Sequence, residues 1–265
     1  MLIAQITDLH IKHAGKLAYG RVDTLPMLEA AVAHLGRLDP QPDIVLLTGD
    51  LVDEGSDAEY GRLRHALAPL NQPLYVIPGN HDDRAAMRRA FADHAYLPGG
   101  GDFLHYVVDG HPVRLVGLDT ITPGKVGGAM DAARSQWLDA RQGEAPDRPP
   151  QVMMHHPPIA KGIDHLDRWL LEGADEFGRV LARHPQVERI VCGHAHRAVA
   201  LRWNGTTVSV CPSTAHQFTL DLKPASPAIY SLEPPGFQLH HWRPGVGLLT
   251  HTVQVGEFAA YRCRG

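Results

Sequence analysis

Asp43-Ile44-Val45-Leu46-Leu47-Thr48-Gly49-Asp50 is the stretch that decides the fold. An apolar run without polar alternation is the pattern of a strand buried on both faces of a parallel sheet, and here it runs through a glycine into a carboxylate. Upstream, Leu2-Ile3-Ala4-Gln5-Ile6 is strand-like and leads into Asp8-Leu9-His10. Between the two strands, Val22 to Leu38 places Leu25, Leu28, Ala31, Val32 and Leu35 close to the helical repeat. Downstream come a helix from about Asp57 to Leu70, a buried strand Pro73-Leu74-Tyr75-Val76-Ile77 ending at Pro78-Gly79, and a helix from about Arg84 to Ala92. This alternation is βαβαβ and calls for a parallel sheet.

The middle of the chain changes character. Phe103 to Val108 and Val113 to Asp119, separated by Asp109-Gly110-His111-Pro112, suggest an antiparallel hairpin and the start of a second sheet. A helix over Asp131 to Arg141, a short strand Gln151-Val152-Met153-Met154 ending at His155, a helix around Asp175 to Arg183 and a strand Arg189-Ile190-Val191-Cys192 follow. Asn204-Gly205 marks a hairpin turn joining Ala198–Trp203 to Thr206–Pro212. From about Gln217 onward the chain is rich in Pro, Gly and aromatic residues. It reads as β-hairpin and loop material that covers the site or makes an oligomer contact. The expected organisation is one α/β domain over residues 1–216 with a small C-terminal β-rich extension over 217–265.

Composition narrows the function classes. A chain of 265 residues can bury a full core as one domain. A formal charge of -4 gives no general pull toward polyanions, and no basic stripe is visible, so stable nucleic-acid binding is not expected. Cys192, Cys211 and Cys263 show no paired spacing, which fits a reducing compartment. The strand-like start leaves no room for a secretory leader, and no apolar run is long enough to cross a bilayer. A cytoplasmic location without a membrane partner is the expectation.

Five blocks carry the chemistry: Asp8-Leu9-His10, Gly49-Asp50, Gly79-Asn80-His81-Asp82, His155-His156 and Gly193-His194-Ala195-His196. Each follows a β-like apolar run, and loops leaving the ends of neighbouring strands converge on one crevice. Any one block alone reads as a common turn or helix cap; their ordered conjunction reads as a two-metal phosphoesterase site. Asp8 and His10, alternating with Leu9 on an extended segment, would point the same way and grip one ion. Asp50 is placed to bridge two ions through its two carboxylate oxygens. Asn80 offers a carbonyl oxygen, and His155, His194 and His196 complete an O/N donor set suited to Fe, Mn, Co or Zn. Thiolate ligands are absent.

At these residues the chain resembles the calcineurin-like metallophosphoesterases, with D-x-H at Asp8–His10, G-D-x-x-D at Gly49–Asp53, G-N-H-[DE] at Gly79–Asp82, a lone histidine at His155 and G-H-x-H at Gly193–His196. Pro78-Gly79-Asn80-His81-Asp82-Asp83 and Met154-His155-His156-Pro157-Pro158 look most like the bacterial class III cyclic nucleotide phosphodiesterases and glycerophosphodiesterases. The resemblance implies a four-layer sandwich of two mixed β-sheets flanked by helices. It also implies two ions, one on Asp8, His10, Asp50 and His196 and the other on Asp50, Asn80, His155 and His194. Such ions, about 3.5–4 Å apart, would clamp a phosphate oxygen and generate a hydroxide that attacks phosphorus in line. His81 would stabilise the developing charge or protonate the leaving oxygen, and Asn80, His81 and His216 would contact substrate. Relatives often assemble through a C-terminal extension, so a homo-oligomer is expected.

The substrate implied is a small phosphodiester, a cyclic nucleotide or a glycerophosphodiester. A phosphomonoesterase or nucleotide pyrophosphatase using the same ions is the alternative, weakened because the motifs hold no additional Arg or Lys for the extra charge. A noncatalytic scaffold is disfavoured because the full ligand set and His81 are present. Lys12, Lys16 and Arg21 could attract a phosphate or be solvated charges, and His156 could orient His155. His165 and Asp164 read as loop residues; His13, His34, His65, His94, His105, His111, His184, His240, His241 and His251 read as surface or structural.

Overall fold

The computed structural model describes residues 1–263; the last two residues of the 217–265 extension lie outside the described residues. The first half alternates as the apolar runs require: β1 (Leu2–Ile6), α1 (Thr24–Gly36), β2 (Ile44–Thr48), α2 (Asp57–Leu67), β3 (Leu74–Ile77) and α3 (Arg84–Ala90). The antiparallel hairpin of β4 (Tyr106–Val108) and β5 (Arg114–Leu118) opens the second half. It continues through α4 (Ala132–Gly143), β6 (Pro150–Met154), the single turn α5 (Asp164–Asp167), α6 (Ala174–Ala182) and β7 (Arg189–Cys192). The hairpin of β8 (Val199–Trp203) and β9 (Thr206–Val210) turns at Asn204-Gly205, both at positive φ. The short strands β10 (Gln217–Phe218) and β11 (Tyr230–Ser231) pair with each other, and β12 (Gly236–Arg243) and β13 (Gly247–Gln254) are the last strands among the described residues.

Two mixed sheets result, a five-stranded one ordered β13-β12-β1-β2-β3 and a six-stranded one ordered β4-β5-β6-β7-β9-β8. Alternate side chains of each central strand leave on opposite faces, and both faces find an apolar partner. Ala4, Ile6, Val45 and Leu47 pack beneath α1 to α3 with Leu28, Leu35, Leu63 and Met87. Ile3, Ile44, Leu46 and Ile77 turn the other way and meet Leu115, Met153 and Val191 of the second sheet. Val116, Leu118, Val152, Met154, Ile190 and Cys192 face the far helices with Leu138, Phe177 and Leu181. The layer order is therefore helices, sheet, sheet, helices, which is the expected sandwich.

The stretch beyond Gln217 divides into two parts. Residues 217–235 lie beside the site, whereas β12 pairs antiparallel with β1, Ile3 opposite His240 and Gln5 opposite Gln238, and brings β13 with it. That hairpin is built into the first sheet: β1 has β2 on one side only, and an uncovered edge would leave its backbone groups unpaired. Among the described residues no helix is long and apolar enough to cross a membrane.

Candidate metal centre

The parallel strands β1, β2 and β3 of one sheet and β6 and β7 of the other all end at the same side of the sandwich, and each motif block leaves from one of those ends. The exits are sharp. Asp8 (φ 53°), His10 (46°), Asp50 (49°), His194 (71°) and His196 (48°) all sit in the left-handed region, a conformation that L-residues enter only where the surroundings impose it. Asp8 and His10 thus share a side because of a left-handed turn and not, as the alternation with Leu9 suggested, because of an extended pleat. Gly79 is required by close approach: a Cβ there would overlap the backbone and carboxylate of Asp50. Asp82 fastens the same two loops together by accepting from Gly79 N (2.8 Å), Leu51 N (3.2 Å) and the Tyr60 hydroxyl (2.7 Å).

Asp8 and His196, 188 positions apart in the chain, lie with Oδ1 and Nε2 at 3.3 Å. His196 Nε2 is 3.1 Å from His10 Nε2, which is 3.7 Å from Asp50 Oδ2; Asp50 Oδ2 is in turn 3.3 Å from His155 Nε2. His194 packs edge-on against the His155 ring and donates its backbone N–H to both oxygens of Asp8. Asn80 follows Gly79, which touches Asp50, and His81 N donates to Asp50 Oδ1 at 2.9 Å. Six of the seven side chains expected to hold metal are therefore gathered on one crevice, and Asn80 lies in the chain between two residues that meet Asp50.

Three imidazoles have their outer nitrogen committed and turn their inner one toward the carboxylates or toward each other. His155 Nδ1 lies 2.8 Å from the Thr48 carbonyl, His196 Nδ1 2.8 Å from the His216 carbonyl, and His10 Nδ1 3.1 Å from Asp53 Oδ1. A carbonyl or carboxylate only accepts, so each Nδ1 carries the hydrogen and each Nε2 turns its lone pair inward. His155 Nε2 and Asn80 Oδ1 are buried without any hydrogen-bond partner. Buried orphans of this kind are costly unless something binds them. Donor atoms of Asp8, His10 and His196, and those of Asp8, Asp50 and His155, lie within 4.8 Å of one another. A chamber of buried carboxylates and inward imidazole lone pairs fits divalent cations with mixed O/N preference.

The electrostatics agree. Burial raises the Asp50 carboxyl, but His155, His81 and His10 outweigh it and hold the group well below the usual carboxylate range. Asp8 is likewise lowered, burial being overcome by His196. His155 is pushed up to about 9, because Asp50 more than offsets burial; a proton there stands where a cation would give the same relief. His194 is driven well below its ordinary value by burial and by His156 and His155.

The remaining expected residues fall as follows. His81 is tethered by Nδ1 to the Asp53 carbonyl (2.8 Å), and its side chain is 38% exposed, at the mouth of the crevice. His216 is buried beside His196 and His10, with both ring nitrogens unpartnered. His156 keeps neither nitrogen for an ion: Nδ1 meets the Thr120 hydroxyl at 2.8 Å and Nε2 the Val126 carbonyl at 3.0 Å, while its ring packs against both His155 and His194. Lys12 is ion-paired to Asp53 and Glu54, whereas Lys16 and Arg21 are exposed. Asp164 accepts from Ala225 N at 2.6 Å, and His165 is buried beside Phe218.

Sequence reasoning gave no role to Asp53, although it is the second acid of G-D-x-x-D and that pattern could have flagged it. It also passed over Tyr19 and Tyr230, which meet only in the folded chain.

The Calcineurin-like phosphoesterase family model matches residues 1–198. The chain is 37% identical over 259 residues, 97% of this chain and 94% of the relative, to the probable glycerophosphodiester phosphodiesterase GpdQ of Arcobacter nitrofigilis. It is 32% identical over 219 residues, 82% of this chain and 77% of the relative, to the 3',5'-cyclic adenosine monophosphate phosphodiesterase CpdA of Escherichia coli K12. In fold it is similar to a dimetal phosphatase from Danio rerio, with a TM-score of 0.70 at 16% identity over 97% of this chain and 99% of that one. The chain belongs to the calcineurin-like phosphoesterase family. It is a metal-dependent phosphoesterase, a hydrolase whose curated relatives are named phosphodiesterases.

Proposed function

We propose that the protein is a two-metal phosphodiesterase acting on small diesters, cyclic nucleotides or glycerophosphodiesters, with Asp8, His10, Asp50 and His196 around one ion and Asp50, Asn80, His155 and His194 around the other. The observation that carries the reading is the convergence of three inward-facing Nε2 atoms on the carboxylates of Asp8 and Asp50. The ions, Fe, Mn, Co or Zn by donor type, would supply Lewis acidity at the phosphoryl group and lower the pKa of water toward neutrality. The chain supplies the rest. Asp50, whose Oδ1 accepts from His81 N, would contribute its carboxylate to both ions. His81, fixed through Nδ1, presents Nε2 at the crevice mouth, where a protonated ring donates to the departing alkoxide. Asn80 and His216, with buried unpartnered polar atoms, would contact the ester group.

A diester is favoured over a monoester because the lysines beside the donor cluster are already paired, Lys12 with Asp53 and Glu54 and Lys161 with Asp167, which leaves them little charge to offer a dianion. The names of the relatives point the same way. The test is turnover of 3',5'-cyclic AMP, glycerophosphoethanolamine and their matching monoesters with Mn or Co added, beside a chelated control. Diester hydrolysis that requires metal is the expected result. Activity confined to monoesters would replace the reading with a phosphatase, and no metal-dependent turnover at all would leave a scaffold.

A further inference from the structure

Tyr19 sits at the tip of the loop between the Asp8-Leu9-His10 turn and α1, a tip closed by paired hydrogen bonds between Ala18 and Val22 (2.9 Å each). Its φ is 51°, unusual for a bulky side chain, and its ring is held out with 57% of the residue exposed. An aromatic ring kept in water by a strained backbone is not core packing. One face stacks on Tyr230, centroids 4.5 Å apart and planes 15° from parallel, and its edge meets His216 at 5.0 Å. The Tyr230 segment is itself anchored to the site: Arg197, next to His196, donates to the Phe218 carbonyl and pairs with Glu233, both at 2.8 Å.

From the ions outward the crevice therefore has three zones. The donor cluster ends at His10 and His196, whose rings lie 5.5 Å and 4.5 Å from His216. Next comes His216, buried, with two unpartnered nitrogens able to meet a hydroxyl. Beyond it is the open face of Tyr19. The phenol is raised above its ordinary value by burial and by the nearby Asp53, Asp50, Tyr230 and Asp8.

We propose that Tyr19, backed by Tyr230, is a stacking platform for the nucleobase of a cyclic nucleotide, and that it selects nucleoside cyclic phosphates over aliphatic diesters. The inference rests on the diesterase reading above and specifies its substrate. Phosphate at the ions, ribose at His216 and base on Tyr19 follow the order of the three zones; a glycerophosphodiester fills only the first two. Stacking suits this position because every base presents a π-face to an aromatic ring, with an energy large enough to read in KM.

Because alanine would be strained at this φ, the test uses Tyr19→Asn, which tolerates the left-handed region, and Tyr19→Phe, which keeps the ring. Steady-state kinetics are measured on 3',5'-cyclic AMP and glycerophosphoethanolamine with Mn present. In Tyr19→Asn the ratio of kcat/KM for cyclic AMP to that for glycerophosphoethanolamine is expected to fall about 5- to 100-fold, mainly through KM, and to hold within about threefold in Tyr19→Phe. An unchanged ratio, with both substrates equally slowed or neither affected, overturns the platform while the diesterase reading stands. A wild-type enzyme that hydrolyses neither diester overturns both.

Discussion

Asp53 accepts from His10 Nδ1 at 3.1 Å and is ion-paired to Lys12, while its backbone carbonyl fixes His81. Burial raises its carboxyl, but His10 and Lys12 prevail and hold it well below the usual carboxylate range. An ionised carboxylate behind a ligating imidazole fixes the tautomer and makes the inner nitrogen more basic. Asp53→Asn should therefore weaken metal binding at the site proposed for His10 by about 10- to 100-fold, with the fold retained. Calorimetric titration of the metal-free variant with Mn measures this, and wild-type affinity would show that Asp53 does not govern His10.

At the scale of elements, the pairing of β1 with β12 carries a second consequence. His240 on β12 is fully buried, bonded through Nε2 to Gln5 Oε1 (3.0 Å) and through Nδ1 to the Thr250 hydroxyl (2.8 Å). Burial, with Arg189 adding to it, depresses its pKa from 6.5 to about 3. Above pH 6.5 neither the folded nor the unfolded chain holds the proton, and His240 adds no pH dependence. Below pH 6.5 the unfolded chain takes up a proton that the folded one refuses, so stability falls with acidification toward pH 3, by at most about 1.4 kcal/mol per pH unit. Urea denaturation from pH 6.5 to 4 should show a steeper decline for the wild type than for His240→Gln, by about one proton. Equal slopes would mean that His240 is protonated in the fold.

Over the whole molecule, two sheets deliver buried Asp8 and Asp50 to one chamber, where they raise each other's electrostatic cost. Cations bound only by the folded chain offset that cost and stabilise the sandwich by mass action, by about 2.7 kcal/mol per site at 100 times Kd. Stripping the enzyme with a chelator should thus lower Tm by several degrees, and Mn should restore it. A melting curve indifferent to both treatments would mean that the chamber holds no ion in the native state.

Much of this was legible in the sequence because it is written locally. A strand buried on both faces shows as an unbroken apolar run, as in Ile44–Leu47, and a ligand set shows as charged or imidazole residues straight after such a run, as at Asp50 and His155. Only the tertiary structure decided features that need partners distant along the chain. It turned Asp8 and His10 through left-handed exits, consumed both nitrogens of His156, drew β12 and β13 into the first sheet and stacked Tyr19 on Tyr230. Side-chain identity fixes which groups are able to bind; packing fixes which nitrogens and ring faces remain open to bind.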